Sequence, residues 1–177
     1  RRRLAPMLGS RVEMELAHSI LFALPGSPVI RYGDEIGMGD DLSLQERGAV
    51  RTPMQWSDAP HGGFSSAEKP VHAVIADGAY GFEHVNVAKQ KRDPQSLFSW
   101  MSRMIRLRKE CPEVGWGDWK LLDTKSRGLL VMQYDWEGGS VLTIHNFDAH
   151  PHEVTVNIPL RLHNLLAEDD SSPDRRG

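Results

Sequence analysis

Apolar and polar positions change their rhythm twice along the chain. From Ser10 onward, Ala17, Ile20, Leu21 and Leu24 recur at the spacing of one helix face. Ser10 and Glu13 stand in the S-x-x-E capping-box arrangement, in which each side chain can satisfy a backbone N–H at the helix start. Pro25-Gly26 ends the run. The next segment, Pro28-Val29-Ile30-Arg31-Tyr32, is β-rich and stops at Gly33, which predicts a short buried strand. Helix, tight turn and strand in succession is the alternation of a parallel α/β sheet.

From Asp34 to about Asp93 the periodicity lapses, and Gly, Pro, Asp, His and Ser dominate. A stretch this long without regular structure is unusual in a compact domain unless it is functional, so the search for a binding surface starts there. Asp93-Pro94 predicts the start of a second helix, with Asp93 as N-cap and Pro94 at the first helical position. Leu97, Met101, Met104 and Ile105 line one face of it, late cations such as Arg108 and Lys109 suit its negative end, and Pro112 marks the stop. Thereafter the period becomes that of a strand. Leu130, Met132, Tyr134 and Trp136 alternate with Val131, Gln133 and Asp135, Gly138-Gly139 supplies a hairpin turn, and Val141 to Phe147 returns. Val154, Val156 and Ile158 predict a half-exposed strand, and Glu168 to Pro173 a mobile acidic tail. A boundary near residue 116 therefore separates an α/β piece from an antiparallel β piece.

Composition narrows the function classes. With 177 residues, 40% of them hydrophobic and 25% charged, the chain is an ordinary globular one with room for one core or two small ones. A net charge of -3 argues against nucleic-acid binding, which needs a basic face. The single cysteine, Cys111, excludes an intrachain disulfide framework and suits a reducing, cytoplasmic compartment. No apolar run reaches the roughly 20 residues that span a bilayer. The opening Arg1-Arg2-Arg3 is followed by no signal-peptide core, and the absence of an initiating Met suggests a start inside a larger protein.

Two motifs carry a resemblance. Pro25-Gly26-Ser27-Pro28-Val29-Ile30-Arg31-Tyr32-Gly33-Asp34-Glu35-Ile36-Gly37-Met38 resembles the end of the eighth barrel strand and its loop in the α-amylase clan. Arg51-Thr52-Pro53-Met54-Gln55-Trp56 is similar to a motif shared by α-glucosidases, oligo-1,6-glucosidases and trehalose synthases. The opening Arg1 to Leu8 and the short spacing from Gly33-Asp34-Glu35 to Arg51 resemble the trehalose synthase family most. That resemblance implies an α/β plus β fold. Residues 1–115 would be the distal part of a (β/α)8 barrel, comprising its last strand, long loop and last helix. Residues 116–177 would be a small antiparallel β-sandwich domain, apparently truncated.

It also implies a retaining two-carboxylate chemistry that interconverts maltose and trehalose, with no cofactor and with the rest of the barrel as the necessary partner. The family's nucleophile, acid/base and Asn-His-Asp aspartate lie upstream of the segment matched, and no Asn-His-Asp occurs in this chain, so the chain alone is expected to be inactive. The rivals are a fragment of an α-glucosidase or oligo-1,6-glucosidase that hydrolyses α-glucosides, and a non-catalytic glucan-binding module.

By the same resemblance Arg51 is the substrate-binding candidate, because a planar guanidinium fork suits vicinal sugar hydroxyls. Gln55 and Trp56 are expected to be scaffold for its loop, and Asp34 and Glu35 to anchor the preceding one as hydrogen-bond acceptors. The family pattern is departed from at Arg31, where a neutral residue is usual, and at Gly48, a place often held by Asp. Asp40 and Asp41 extend the acidic cluster, but the spacing matches no EF-hand loop, and His61, His72 and His84 show no paired ligand spacing, so no metal is expected. Trp100, Trp116, Trp119 and Trp136 could stack on sugars, but their place near the boundary favours interface packing.

Overall fold

A computed structural model describes residues 2–156 and 162–167. Its elements are helices α1 (Leu4–Leu8), α2 (Arg11–Ala23), α3 (Val87–Arg92), α4 (Leu97–Glu110) and α5 (Pro112–Trp116), then strands β1 (Asp118–Leu121), β2 (Leu129–Trp136) and β3 (Gly139–Asn146). Ser10 caps α2 by accepting the Glu13 N–H at 3.2 Å. The reciprocal half of the capping box differs from expectation, because the Glu13 carboxylate takes the Ser10 hydroxyl at 2.8 Å and not a backbone N–H.

The strand predicted at Pro28 to Tyr32 does not form among the described residues. The segment nevertheless keeps a strand's alternation: Pro28 and Ile30 are half-buried while Val29 and Arg31 are exposed. A ladder needs a neighbour, and no described segment lies alongside to exchange N–H and C=O bonds with it. Ile30 instead packs against the α2–α4 core of Phe22, Leu97 and Met101.

The second helix begins later than predicted. Ser96, not Asp93, is its N-cap, accepting the Ser99 N–H at 3.1 Å. Asp93 closes the preceding helix α3 and turns the chain by accepting the Gln95 N–H at 2.8 Å. The predicted apolar face is correct: Leu97 and Met101 are buried, and Met104 and Ile105 pack beside them. Pro112 ends α4 and also opens α5, so Cys111 is both the C-cap of one helix and the N-cap of the next.

The β piece is one antiparallel sheet in the order β1-β2-β3. Tyr134 pairs with Val141, and Trp136 pairs with Gly139. The hairpin turn is therefore Glu137-Gly138, not Gly138-Gly139. Both have positive φ (47° and 85°), as a tight primed turn requires. Among the described residues there is a single sheet and not the two of a sandwich, and Val154 to Val156 form no strand. Asn157, Ile158 and the tail from Glu168 to Pro173 lie outside the described residues.

One face of the sheet packs on the helices. Met132 and Tyr134 join Ala23, Cys111 and Val114 in a buried cluster whose members come from both sides of residue 116. Burial of each large side chain there contributes about 1.5–3 kcal/mol. The expectation of interface packing for the tryptophans fails for three of them: Trp116, Trp119 and Trp136 are 76%, 51% and 38% exposed, while Trp100 packs against the α2–α4 core. Trp116 ends the short α5, and Trp119 stands on an edge strand, so neither has helix surface to cover it.

Candidate functional site

The loop after α2 turns at Gly33, whose φ of 91° lies in the left-handed region. A Cβ there would stand 2.5 Å from the Met38 sulfur and 3.1 Å from the Arg3 guanidinium. Only glycine fits. The Glu35 carboxylate accepts the Gly33 N–H at 2.6 Å. Arg3, 1% exposed, donates from Nη1 to the Tyr32 carbonyl at 2.6 Å and to Asp34 Oδ1 at 3.3 Å. Burial pushes the Asp34 carboxyl up and the Arg3 guanidinium down, and their mutual attraction offsets this only in part. Asp40 accepts Arg2 Nε at 2.7 Å and the Arg3 N–H at 3.2 Å, and Asp41 accepts both the N–H and the hydroxyl of Ser43. The acidic cluster thus has donors of its own, and among the described residues no group of three His, Cys, Asp or Glu is placed to hold a metal ion.

The second motif leaves a 3-10 turn, Gly48–Val50, and is then buried from Thr52 to Gln55. Hydrogen bonds along its length fix it. The Met54 N–H donates to Tyr32 Oη at 2.9 Å, which ties the two motifs together. The fully buried Gln55 amide donates to the carbonyls of Tyr80 at 2.9 Å and Val85 at 2.6 Å. The Gln55 and Trp56 carbonyls accept the N–H groups of Val87 and Ala88, opening α3. Side-chain amides thus do here what a ladder does in a sheet, and Gln90 extends the pattern by donating to the Ile36 carbonyl at 2.7 Å. Trp56 is 47% exposed.

Arg51 stands exposed beside this rigid segment. It lines an open concavity of about 750 Å³ with Arg31, Tyr32, Phe64, Lys69 and His72. The lining contains cations but no carboxylate, and no described acid pairs with Arg51. A smaller hollow of about 310 Å³ runs between the loop and α4, and Arg31 and Tyr32 line it too.

Of the residues singled out from sequence, Arg51 lines the concavity, whereas Asp34, Glu35, Gln55 and Trp56 do not. His72 reaches it, and His61 and His84 lie elsewhere. Sequence reasoning overlooked Tyr32, Phe64, Lys69 and the buried Arg3. Tyr32 ends the segment predicted as a strand, and the signal for its hydroxyl having a partner is its place immediately before a turn glycine and an acidic pair.

Three comparisons bear on this arrangement. A family model described as "Alpha amylase, catalytic domain" matches residues 1–117. The chain is 39% identical to a trehalose synthase of Pimelobacter sp. (strain R48), over 89% of this chain and 29% of that protein. It is 40% identical to a trehalose synthase of Thermus thermophilus, over 94% of this chain and 17% of that protein. The chain thus spans less than a third of these relatives. The trehalulose synthase of Pseudomonas mesoacidophila MX-45 has the same fold over 85% of this chain and 34% of its own, with a TM-score of 0.71 at 21% identity.

Proposed function

This chain belongs to the α-amylase catalytic-domain family, and on that premise we propose that it is part of an intramolecular glucosyl-transferring isomerase that interconverts maltose and trehalose. The similarity to two trehalose synthases over nearly the whole chain carries this reading. The concavity beside Arg51 supports it.

In this reading residues 1–115 are the end of the (β/α)8 barrel and residues 116–177 a small C-terminal β domain. Arg51 holds the hydroxyls of the glucosyl unit at the rim of the concavity. Tyr32 and Phe64 give it aromatic walls, the usual lining of a ligand pocket with a few placed polar groups. Gln55 and Trp56, with Asp34 and Glu35, hold the loops without touching sugar. The reaction needs one carboxylate to attack the anomeric carbon and a second to protonate the departing oxygen. The concavity offers neither, so both belong to other parts of the barrel. The released glucose then stays in place, turns, and attacks the glucosyl-enzyme through its own anomeric hydroxyl. No cofactor takes part, and the compartment is cytoplasmic.

The test is incubation with maltose. The full-length protein should yield trehalose, and Arg51→Ala should raise KM for maltose about tenfold or more. The 177-residue chain alone should yield nothing. Trehalose formation by the isolated chain, or unchanged kinetics in Arg51→Ala, overturns the respective part of the proposal. A full-length protein that releases only glucose would be a hydrolytic α-glucosidase or oligo-1,6-glucosidase, which is the second reading.

A further inference from the structure

We propose that Tyr32 is the residue that positions Arg51 and supplies an aromatic wall of the sugar site. The inference rests on the reading of Arg51 given above and adds a second residue to it.

The geometry gives Tyr32 three simultaneous engagements. Its carbonyl is held by the buried Arg3 at 2.6 Å, so the backbone at this position is anchored from behind. Its hydroxyl oxygen accepts the Met54 N–H at 2.9 Å, three residues beyond Arg51. Tyr32, half exposed, also lines both the large concavity and the smaller hollow against α4.

The Met54 contact matters because of what surrounds it. Thr52, Pro53, Met54 and Gln55 are buried, and Gln55 is pinned by its amide at the far end of the segment. At the near end, among the described residues, the 3-10 turn holds Arg51, through its own N–H to the Gly48 carbonyl at 3.0 Å. That turn is itself held by the Asp41 N–H on the Ala49 carbonyl at 2.8 Å and by the burial of Ala49 and Val50, so the stretch still to be fixed is the one between Arg51 and Gln55. The Tyr32 hydroxyl is the contact that ties the middle of the segment to the opposite side of the concavity. Without it the Met54 N–H is a buried donor with no acceptor, and the segment must shift to find one. A ring face beside a guanidinium fork suits the apolar face and the hydroxyl edge of a pyranose together.

The experiment is a double-mutant cycle in the full-length protein, with maltose as substrate and circular dichroism and thermal unfolding to confirm that each variant is folded. Tyr32→Phe keeps the ring and removes the acceptor. It should raise KM roughly three- to tenfold, the worth of one net hydrogen bond, with kcat little changed. Combined with Arg51→Ala it should add almost nothing further, because the residue it positions is already gone. If Arg51→Ala raises KM but Tyr32→Phe does not, or if the two effects add in full, the positioning role is wrong and the sugar-binding role of Arg51 stands. If Arg51→Ala itself leaves KM unchanged, the reading of Arg51 fails, and with it a role for Tyr32 through Arg51.

A readout independent of turnover closes the test. In the same protein the Met54 amide should exchange its hydrogen slowly, and at least about tenfold faster in Tyr32→Phe. Equal exchange in the two proteins overturns the proposal whatever the kinetics show.

Discussion

The phenol of Tyr134, in the middle of β2, donates to the carbonyl of Ala23, the last residue of α2, across a sequence separation of 111 residues. Tyr134 is fully buried, and the carbonyl belongs to the helix end, where no intrahelical donor remains. The contact is thus a cap delivered by a strand. Tyr134→Phe should cost about 1–2 kcal/mol in urea unfolding, with the helix carbonyl left unsatisfied. Burial holds the phenol above its ordinary value of 10.0, so its contribution is complete below that pH and is lost as the pH rises beyond it. The loss of stability in alkali should be smaller in the variant.

His145 on β3 is buried, and its imidazole is pushed below the ordinary 6.5 by desolvation, against the opposing effect of backbone bonds at Ser19 and Leu130. The folded state therefore prefers the neutral ring. Its stabilising contribution is present above pH 6.5 and disappears as the pH falls through the depressed folded value. Thermal unfolding followed across mildly acidic pH should show a steeper decline for the native protein than for His145→Gln.

Gln55→Glu changes few atoms and should be severe. The amide of Gln55 donates to two carbonyls, and a carboxylate can donate to neither. It would also place a charge at a site with no exposure. The expected cost is about 3 kcal/mol or more, read from the midpoint of chemical unfolding, with early proteolytic cleavage between Tyr80 and Val85.

Gly117→Ala tests how closely α5 and β2 approach. A Cβ at this position would lie 2.5 Å from the Glu113 carbonyl oxygen and 2.7 Å from that of Asp135. The φ of −75° suits any residue, so the penalty is steric and should be about 1–3 kcal/mol. Unfolding of Gly115→Ala, where a Cβ meets nothing within 4 Å, is the control.

Periodic signals were legible in the sequence and contacts between distant residues were not. The apolar face of α4 and the β2–β3 hairpin follow from spacing alone, because each is decided by neighbours a few residues away. The face expected for α2 does not: His18, Phe22 and Ala23 are buried there, with Met14 packed beside Phe22, while Leu24 is exposed, because the position of α4 and of the sheet selects which side is covered. The errors at Asp93 and at Gly138-Gly139 are register errors: two residues of the right type stood near each other, and tertiary packing selected the other. The segment from Pro28 to Arg31 failed for a different reason, since a strand is a property of a pair. In the candidate site, Arg51 was legible through a motif. Tyr32 and Arg3 were not, because their importance lies in bonds to Met54 and Asp34 that no local pattern encodes.

The shared residue between α4 and α5 has a mechanical consequence. Cys111 ends one helix as Pro112 begins the next, so no slack separates the long helix from the sheet that follows. Arg108, one turn earlier, grips the carbonyls of Phe22 and Gly26 at the foot of the loop that carries Tyr32. A pull on the sheet is thus passed through a junction without slack, across a single helical turn, to the base of that loop.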